Sequence, residues 1–291
     1  MNFALFKDAI TIFLGIIIEA TPFVALGVLL SSLIRLYITE GRLLKIIPKN
    51  RFGAVLMGSA LGFFLPVCEC GNIPVARRFL IKKVPVHTTL AFLLAAPVFN
   101  PIVIFATWAA FRGSPEMVIL RVVFSLAIAL IIGFLFSFHK NPQELLNPHL
   151  LESETHAHRK GFLGTFVEEF FEMMGILVIG TALASFVQIL LPRQWVLSIG
   201  SGPISSVLTM MALALIVSIC SNVDAFFALS YSSTFTTGSL LAFLVFGPIV
   251  DIKGLVMMKK VFKTKILLWI TLLTAQLAFL FALVINLNTH L

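Results

Sequence analysis

The stretch Pro66-Val-Cys-Glu-Cys-Gly-Asn-Ile-Pro74 interrupts an apolar run, Phe52–Leu80, with groups that lipid cannot solvate. Pro66 and Pro74 each lack a backbone N–H and Gly71 tolerates any φ, so a helix entering through Phe52–Leu65 is expected to break here and release carbonyls that need partners. Irregular backbone at membrane depth persists only where it is buried in protein or lines a wet cavity. The thiols of Cys68 and Cys70, the carboxylate of Glu69 and the amide of Asn72 all fall on that break, and together they read as a site.

Composition says what surrounds the break. The chain is 59% hydrophobic and 12% charged, against a charged fraction of roughly 25% in soluble domains, so an ordinary soluble domain is excluded. The runs Ala9–Leu36, Thr88–Phe111, Met117–Phe138, Phe162–Leu191, Ser239–Met258 and Ile266–Leu287 each approach the ~20 residues that span a bilayer core. A second interrupted run is Pro203–Tyr231. The net charge of +8 does not point to nucleic acid, because the basic residues sit in short loops between apolar runs, where they report orientation. Cys68, Cys70 and Cys220 lie inside hydrophobic segments, so no secreted-type disulfide framework is expected. The first apolar run is too long for a signal peptide, carries Glu19 and lacks a small-residue cleavage site.

The chain resembles itself. Phe13, Glu19, Gly27 and Ser32 match Phe166, Glu172, Gly180 and Ser185 at an offset of 153; Cys68 and Asn72 match Cys220 and Asp224 at 152; Pro97 and Asn100 match Pro248 and Asp251 at 151. The expected fold is therefore an all-α polytopic membrane protein of two inverted repeats. Each repeat has three transmembrane helices plus one broken or re-entrant helical hairpin. The repeats span residues 1–138 and 162–291, joined by a cytoplasmic linker, 139–161. Basic clusters flank both ends of the first interrupted run: Arg35, Arg42, Lys45, Lys49 and Arg51 before it, Arg77, Arg78, Lys82 and Lys83 after it. A hairpin that enters from the cytoplasm and turns at Cys68–Asn72 keeps both clusters inside. It leaves only Lys7, Arg112, Arg121 and Arg193 of the 21 basic residues outside. Three crossings per half invert the halves, and in transporters of that architecture the site lies near the midplane, where broken helices meet. The second hairpin, turning at Cys220–Asp224, is expected to meet the first from the opposite face.

Several side chains could carry chemistry. Glu19 sits mid-span before Pro22, and an intramembrane acid is a functional candidate by default; with its repeat mate Glu172 it is a candidate for proton or ion coupling. Glu168 and Glu169 read as interfacial and solvated. Cys68, Cys70 and Cys220 offer three soft sulfur ligands, which suit thiophilic species such as trivalent arsenic, copper(I) or zinc. Glu69, Asn72, Asn222, Asp224, Asn100 and Asp251 complete the candidate substrate-binding set. Asn100, between Pro97 and Pro101, and Asp251, after Gly247-Pro248, could complete freed backbone or face the path. Asp224 could cap a helix beginning at Ala225, and Lys253 is a candidate counter-charge for Asp251. In the linker, His149, His156, His158, Glu152 and Glu154 read as a solvated connector rather than a metal site.

The Pro66–Pro74 motif resembles the Pro-x-Cys-x-Cys-Gly-x-x-Pro pattern of a family of predicted bacterial permeases that includes the organoarsenical efflux permease. The Asp224 region and Gly247-Pro248-Ile-Val-Asp251-Ile-Lys253 look like that family too, and the similarity covers nearly the whole chain. The resemblance implies an inner-membrane permease and, in its characterised branch, export of trivalent methylated arsenicals through cysteine contact. It carries Cys68 and Cys70 over as candidate ligands. In the family pattern Ser usually stands between the cysteines; here it is Glu69, and an added carboxylate favours a cation over a neutral arsenical.

The leading expectation is a secondary transporter of a small, thiophilic solute or metal species, acting in the bacterial cytoplasmic membrane without a cofactor. Its partners are then lipid and a small solute or ion, not nucleic acid, with self-association or a partner membrane subunit left open. The chain has no Gly-x-x-x-x-Gly-Lys-Ser/Thr loop for ATP. An intramembrane hydrolase is the weakest alternative, since the chain lacks both a His-Glu-x-x-His motif and a Gly-x-Ser-x-Gly elbow. A membrane subunit that binds a partner without moving solute is the other.

Overall fold

The computed structural model describes residues 3–65, 67–139, 142–148, 162–189 and 202–288. Pro66, Arg193 and the linker residues His149, Glu152, Glu154, His156 and His158 lie outside the described residues, as does nearly all of the stretch 191–202. Among the described residues the chain is helical throughout, apart from one isolated bridge between Leu146 and Phe262 and a short 3-10 turn at Pro142–Leu145.

Among the described residues, four helices are long and apolar enough to cross a membrane. They are α1 (Phe3–Tyr37), α7 (Pro115–Phe136), α8 (Phe162–Ile189) and α13 (Thr264–Asn288). A surface helix α2 (Glu40–Ile46) leads into α3 (Arg51–Phe64), and after the break come α4 (Glu69–Ile81), α5 (Val86–Ala95) and α6 (Pro101–Ala110). The second half follows the same order with α9 (Pro203–Val217), α10 (Asp224–Leu229), α11 (Thr237–Phe246) and α12 (Ile252–Met258).

Two of the expected spans are not continuous helices. Thr88–Phe111 is divided into α5 and α6, and Ser239–Met258 into α11 and α12. Pro97 and Pro101 on one side, and Pro248 on the other, lack the backbone donors a helix needs to continue. The ends so exposed are capped by the two polar residues on the breaks. The Asn100 side chain accepts from the Ile102 N–H at 3.0 Å, and Asp251 Oδ1 accepts from the Gly254 N–H at 2.9 Å. Among the described residues each half thus has two uninterrupted long helices and two interrupted pairs.

The long helices α1 and α8 pack on one another in antiparallel sense. Arg35 Nη1 donates to Thr165 Oγ1 at 2.9 Å, and one turn back Ser31 Oγ donates to Glu169 Oε2 at 3.1 Å. The half-helix α4 lies against α1 with backbone in direct contact: a Cβ built on Gly27 would stand 2.1 Å from the Gly71 carbonyl oxygen. In the second half Gly180 of α8 receives the backbone of Lys253 in α12, 3.1 Å from where its Cβ would be.

The basic cluster after the first break is not a solvated loop. Arg77 and Arg78 are buried within α4; Arg77 pairs with Glu172 at 2.8 Å, and Arg78 pairs with Glu169. Lys82 donates to the carbonyls of Arg35 and Ile38 at the end of α1, and Lys83 pairs with Glu40 at 3.2 Å. Glu169, expected to be solvated, is therefore half of a mostly buried ion pair. Cations this close to carboxylates serve helix packing as well as orientation, which weakens any tally that counts them as loop charge.

The tight crossing of α1 and α4 gives a direct test. Gly27→Leu has no room, and should destabilise the fold by at least the roughly 1–3 kcal/mol of ordinary overpacking. Gly15→Leu, on the same helix with nothing within 4 Å, should stay within about 0.5 kcal/mol. Thermal unfolding of the detergent-purified variants, followed by size-exclusion chromatography, distinguishes the two.

A buried charged centre at the broken helices

The centre of the molecule is built where α4 begins. Val67 and Cys68 run extended, with Cys68 at φ −78° and ψ 179°, and the Cys68 carbonyl accepts from the Asn72 N–H at 3.0 Å to start the helix. Glu69 is its first helical residue, so its carboxylate stands at the end of the helix where partial positive charge favours an anion. It is 3% exposed. Facing it, α9 ends at Ser218, whose φ of +50° is left-handed, a conformation that costs a non-glycine residue roughly 1–2 kcal/mol. That turn frees the Ser218 carbonyl from helical bonding and delivers Cys220 and Ser221 beside Glu69.

Into this gap α12 projects Lys253, 1% exposed. Its ammonium lies 3.1 Å from Glu69 Oε1 and 3.6 Å from Asp251 Oδ2, and it donates to the Ser218 carbonyl at 2.7 Å. The other oxygen of Glu69 accepts from Ser221 Oγ at 3.2 Å and from the Cys220 thiol at 3.7 Å. The donor atoms of Cys68, Glu69 and Cys220 all lie within 4.8 Å of one another. Two thiols and a carboxylate at that separation can close on one soft metal or metalloid centre.

A second buried ion pair stands beside the first. Arg121 of α7, 1% exposed, pairs with Asp224 Oδ2 at 2.6 Å and donates to Thr107 Oγ1 at 2.7 Å and to the Ser221 carbonyl at 3.5 Å. It ties α6 and α7 of the first half to the turn before α10 in the second.

Residues 5–287 match the family model described as "Predicted permease". The chain belongs to this permease family. It is 45% identical over 266 residues, 88% of this chain and 89% of the other, to the UPF0718 protein YcgR of Bacillus subtilis. It is 38% identical over 292 residues, 96% and 95% of the two chains, to a Streptococcus mutans protein named "Putative two-component membrane permease complex subunit". A shorter match, 36% over 76 residues or 26% and 22% of the two chains, is to the UPF0718 protein YraQ of Escherichia coli. No solved structure matches. With its four long apolar helices, the permease is a multi-pass membrane protein.

Of the candidate residues, the permease fold brings Cys68, Glu69, Cys220 and Asp251 to one place. Cys70 is equally buried and its thiol lies against that of Cys68, while the three donors that are all mutually close are Cys68, Glu69 and Cys220. Asn72 donates to the Leu93 carbonyl at 3.0 Å while its Oδ1 has no partner; Asn100 serves backbone, donating to Val67 O at 3.4 Å and capping α6. Asn222 is partly buried on the turn between α9 and α10. Asp224 is the first residue of α10, and its oxygen goes to Arg121 rather than to a cap. Glu19 is half-buried on α1, within electrostatic reach of Lys253 and Glu69, with Oε1 unpartnered. Glu172 is half-exposed at the seam with α4, between Arg77 and Lys260.

Two charges have partners that the sequence does not show. Arg121, expected at an outer boundary, stands seven residues into α7, where a charge needs a buried partner. Lys253 does pair with the expected Asp251, at 3.6 Å, but its nearer partner, Glu69 at 3.1 Å, comes from the other half, which no local spacing indicates. Breaking a buried pair typically costs about 3–5 kcal/mol, because the partner is left uncompensated. Arg121→Met and Asp224→Asn should each lower stability on that scale. The double variant should lose clearly less than the sum, as read by a thermal-denaturation double-mutant cycle in detergent.

Proposed function

We propose that the protein is a secondary transporter that carries a small thiophilic solute or metal species across the cell membrane, binding it between the two broken regions. One observation carries this: Cys68 from the first half and Cys220 from the second stand with Glu69 as a buried cluster of mutually close ligand atoms. A site shared between two halves is sensitive to how they are set against each other, which is what a carrier requires.

The inverted arrangement of the halves belongs to this proposal. It is supported by the antiparallel contact of α1 with α8 and by the recurrence of helix order at offsets near 152. A hairpin formed by α3 and α4 is supported by the return of Lys82 and Lys83 to the end of α1 and the start of α2, where α3 also begins. Under this reading α5 with α6, and α11 with α12, cross as discontinuous helices. Arg51→Cys and Lys83→Cys, each in a cysteine-free background, should both react with an impermeant maleimide from the same side of intact cells. Labelling from opposite sides would turn the hairpin into a crossing.

Metalloid efflux is the substrate reading suggested by the family resemblance, and Glu69 extends it toward cations. The Streptococcus relative's name raises a partner membrane component, so flux is best measured with and without the membrane extract of the native host. Proteoliposomes holding the purified chain should take up cadmium(II) or a trivalent arsenical. Cys68→Ser and Cys220→Ser should each reduce initial rates by about tenfold or more, the scale of losing one ligand of a site. Flux that survives in both serine variants would refute the thiol-ligand role, and flux absent from the purified chain but restored by extract would make it one subunit of a larger carrier.

A further inference from the structure

The ammonium of Lys253 has the surroundings of a bound metal ion: one main-chain carbonyl and two carboxylate oxygens, at 2.7, 3.1 and 3.6 Å. The carbonyl belongs to a residue turned left-handed at a helix end, and the carboxylates come from opposite halves of the chain. The two acids are used unequally. Asp251 Oδ1 is committed to the Gly254 N–H, and its Oδ2, buried like Glu69 Oε1 and like it without a hydrogen-bond partner, stands farther from the ammonium than Glu69 does. Glu69 is at once the nearer partner of Lys253 and a member of the Cys68–Cys220 cluster. A cation bound to Glu69 beside the thiols would meet the like charge of Lys253 across a single carboxylate, and Asp251 Oδ2, already 3.6 Å from the ammonium, is the acceptor toward which it can move.

We propose that Lys253 is a tethered counter-cation that selects the cargo: the site admits a thiophilic metal cation, which displaces the ammonium from Glu69 toward Asp251. This rests on the thiol-ligand reading above and names the charge of its substrate. Charge arithmetic allows the exchange. Glu69, Asp251 and Lys253 together carry one net negative charge, and a divalent cation that releases two thiol protons to water leaves that net charge unchanged, so no charge is added to the buried site. A neutral arsenical gains nothing from Glu69, since it condenses with the two thiols and expels one water without needing a carboxylate. The ammonium lies on the same carboxylate the cation would use, so the two compete at contact distance, where a unit charge counts most.

Two variants move this competition in opposite directions. Lys253→Met removes the competitor. Asp251→Asn keeps the helix cap through its amide oxygen but removes the alternative anchor, so that Lys253 stays on Glu69. Cadmium(II) binding to the purified full-length protein in detergent, titrated by its ultraviolet thiolate charge-transfer band, should tighten about tenfold or more in Lys253→Met and weaken about threefold or more in Asp251→Asn. Phenylarsine oxide, the neutral probe, should bind all three proteins within about twofold. Cadmium affinity that falls or is unchanged in Lys253→Met, with phenylarsine oxide binding intact, overturns the counter-cation role and leaves the thiol site standing. If Lys253→Met does not fold, Asp251→Asn decides: unchanged or tighter cadmium binding overturns the proposal. Failure of both probes to bind the native protein overturns the thiol reading and this proposal with it.

Discussion

An ammonium ion taken out of water must be compensated where it stands, and that requirement shapes the centre of this permease. Lys253 is 1% exposed, and the cost of desolvating a charge is several kcal/mol unless opposite charge and hydrogen-bond acceptors are supplied. The chain supplies them by leaving backbone unfinished. Ser218 turns out of α9 and offers a carbonyl, α4 begins late enough to put Glu69 at its first turn, and α12 is cut off from α11 so that Asp251 precedes it. Each of these interruptions would be a defect in a lipid-facing helix. Buried against one another, they solvate the charge that holds them together.

The same logic explains why two kinds of contact coexist. Where helices cross without side chains between them, as at Gly27 with Gly71 and at Gly180 with Lys253, the fit is steric and rigid. Where charge crosses from one half to the other, as at Glu69 with Lys253 and Asp224 with Arg121, the contacts are strong but exchangeable, since another ion can take a partner's place. These two glycine contacts each join helices from one half of the chain, and these two ion pairs join helices from different halves.

A third layer of charge, away from the centre, joins α4 to α8 through Arg77 with Glu172 and Arg78 with Glu169, and Lys260 also reaches Glu172. Arg78 is buried as deeply as Glu69, but Glu172 and Lys260 are 35% and 50% exposed, so water screens that end more than it screens the central pairs. Charge in this protein is therefore graded with depth: loosely held at the helix ends, and fully desolvated at the breaks.

The sequence by itself determined the membrane class, the four long helices and the break at Pro66–Pro74, because hydropathy, proline and glycine act locally and along the chain. It also pointed to the right break: Cys68, Glu69, Cys220 and Asp251 were all recognisable as polar groups that an apolar run could not leave unexplained. Only the tertiary structure decided which of them meet. That Thr88–Phe111 and Ser239–Met258 are divided depended on whether buried partners existed for the freed backbone groups. That Glu69 meets Cys220 follows from where the turn after α9 is placed, and that Lys253 answers Glu69 across 184 positions of chain follows from the packing of α12 beside α4. Pairing between distant segments is set by the three-dimensional path of the backbone, and a charge in a sequence carries no mark of the partner it will be buried against.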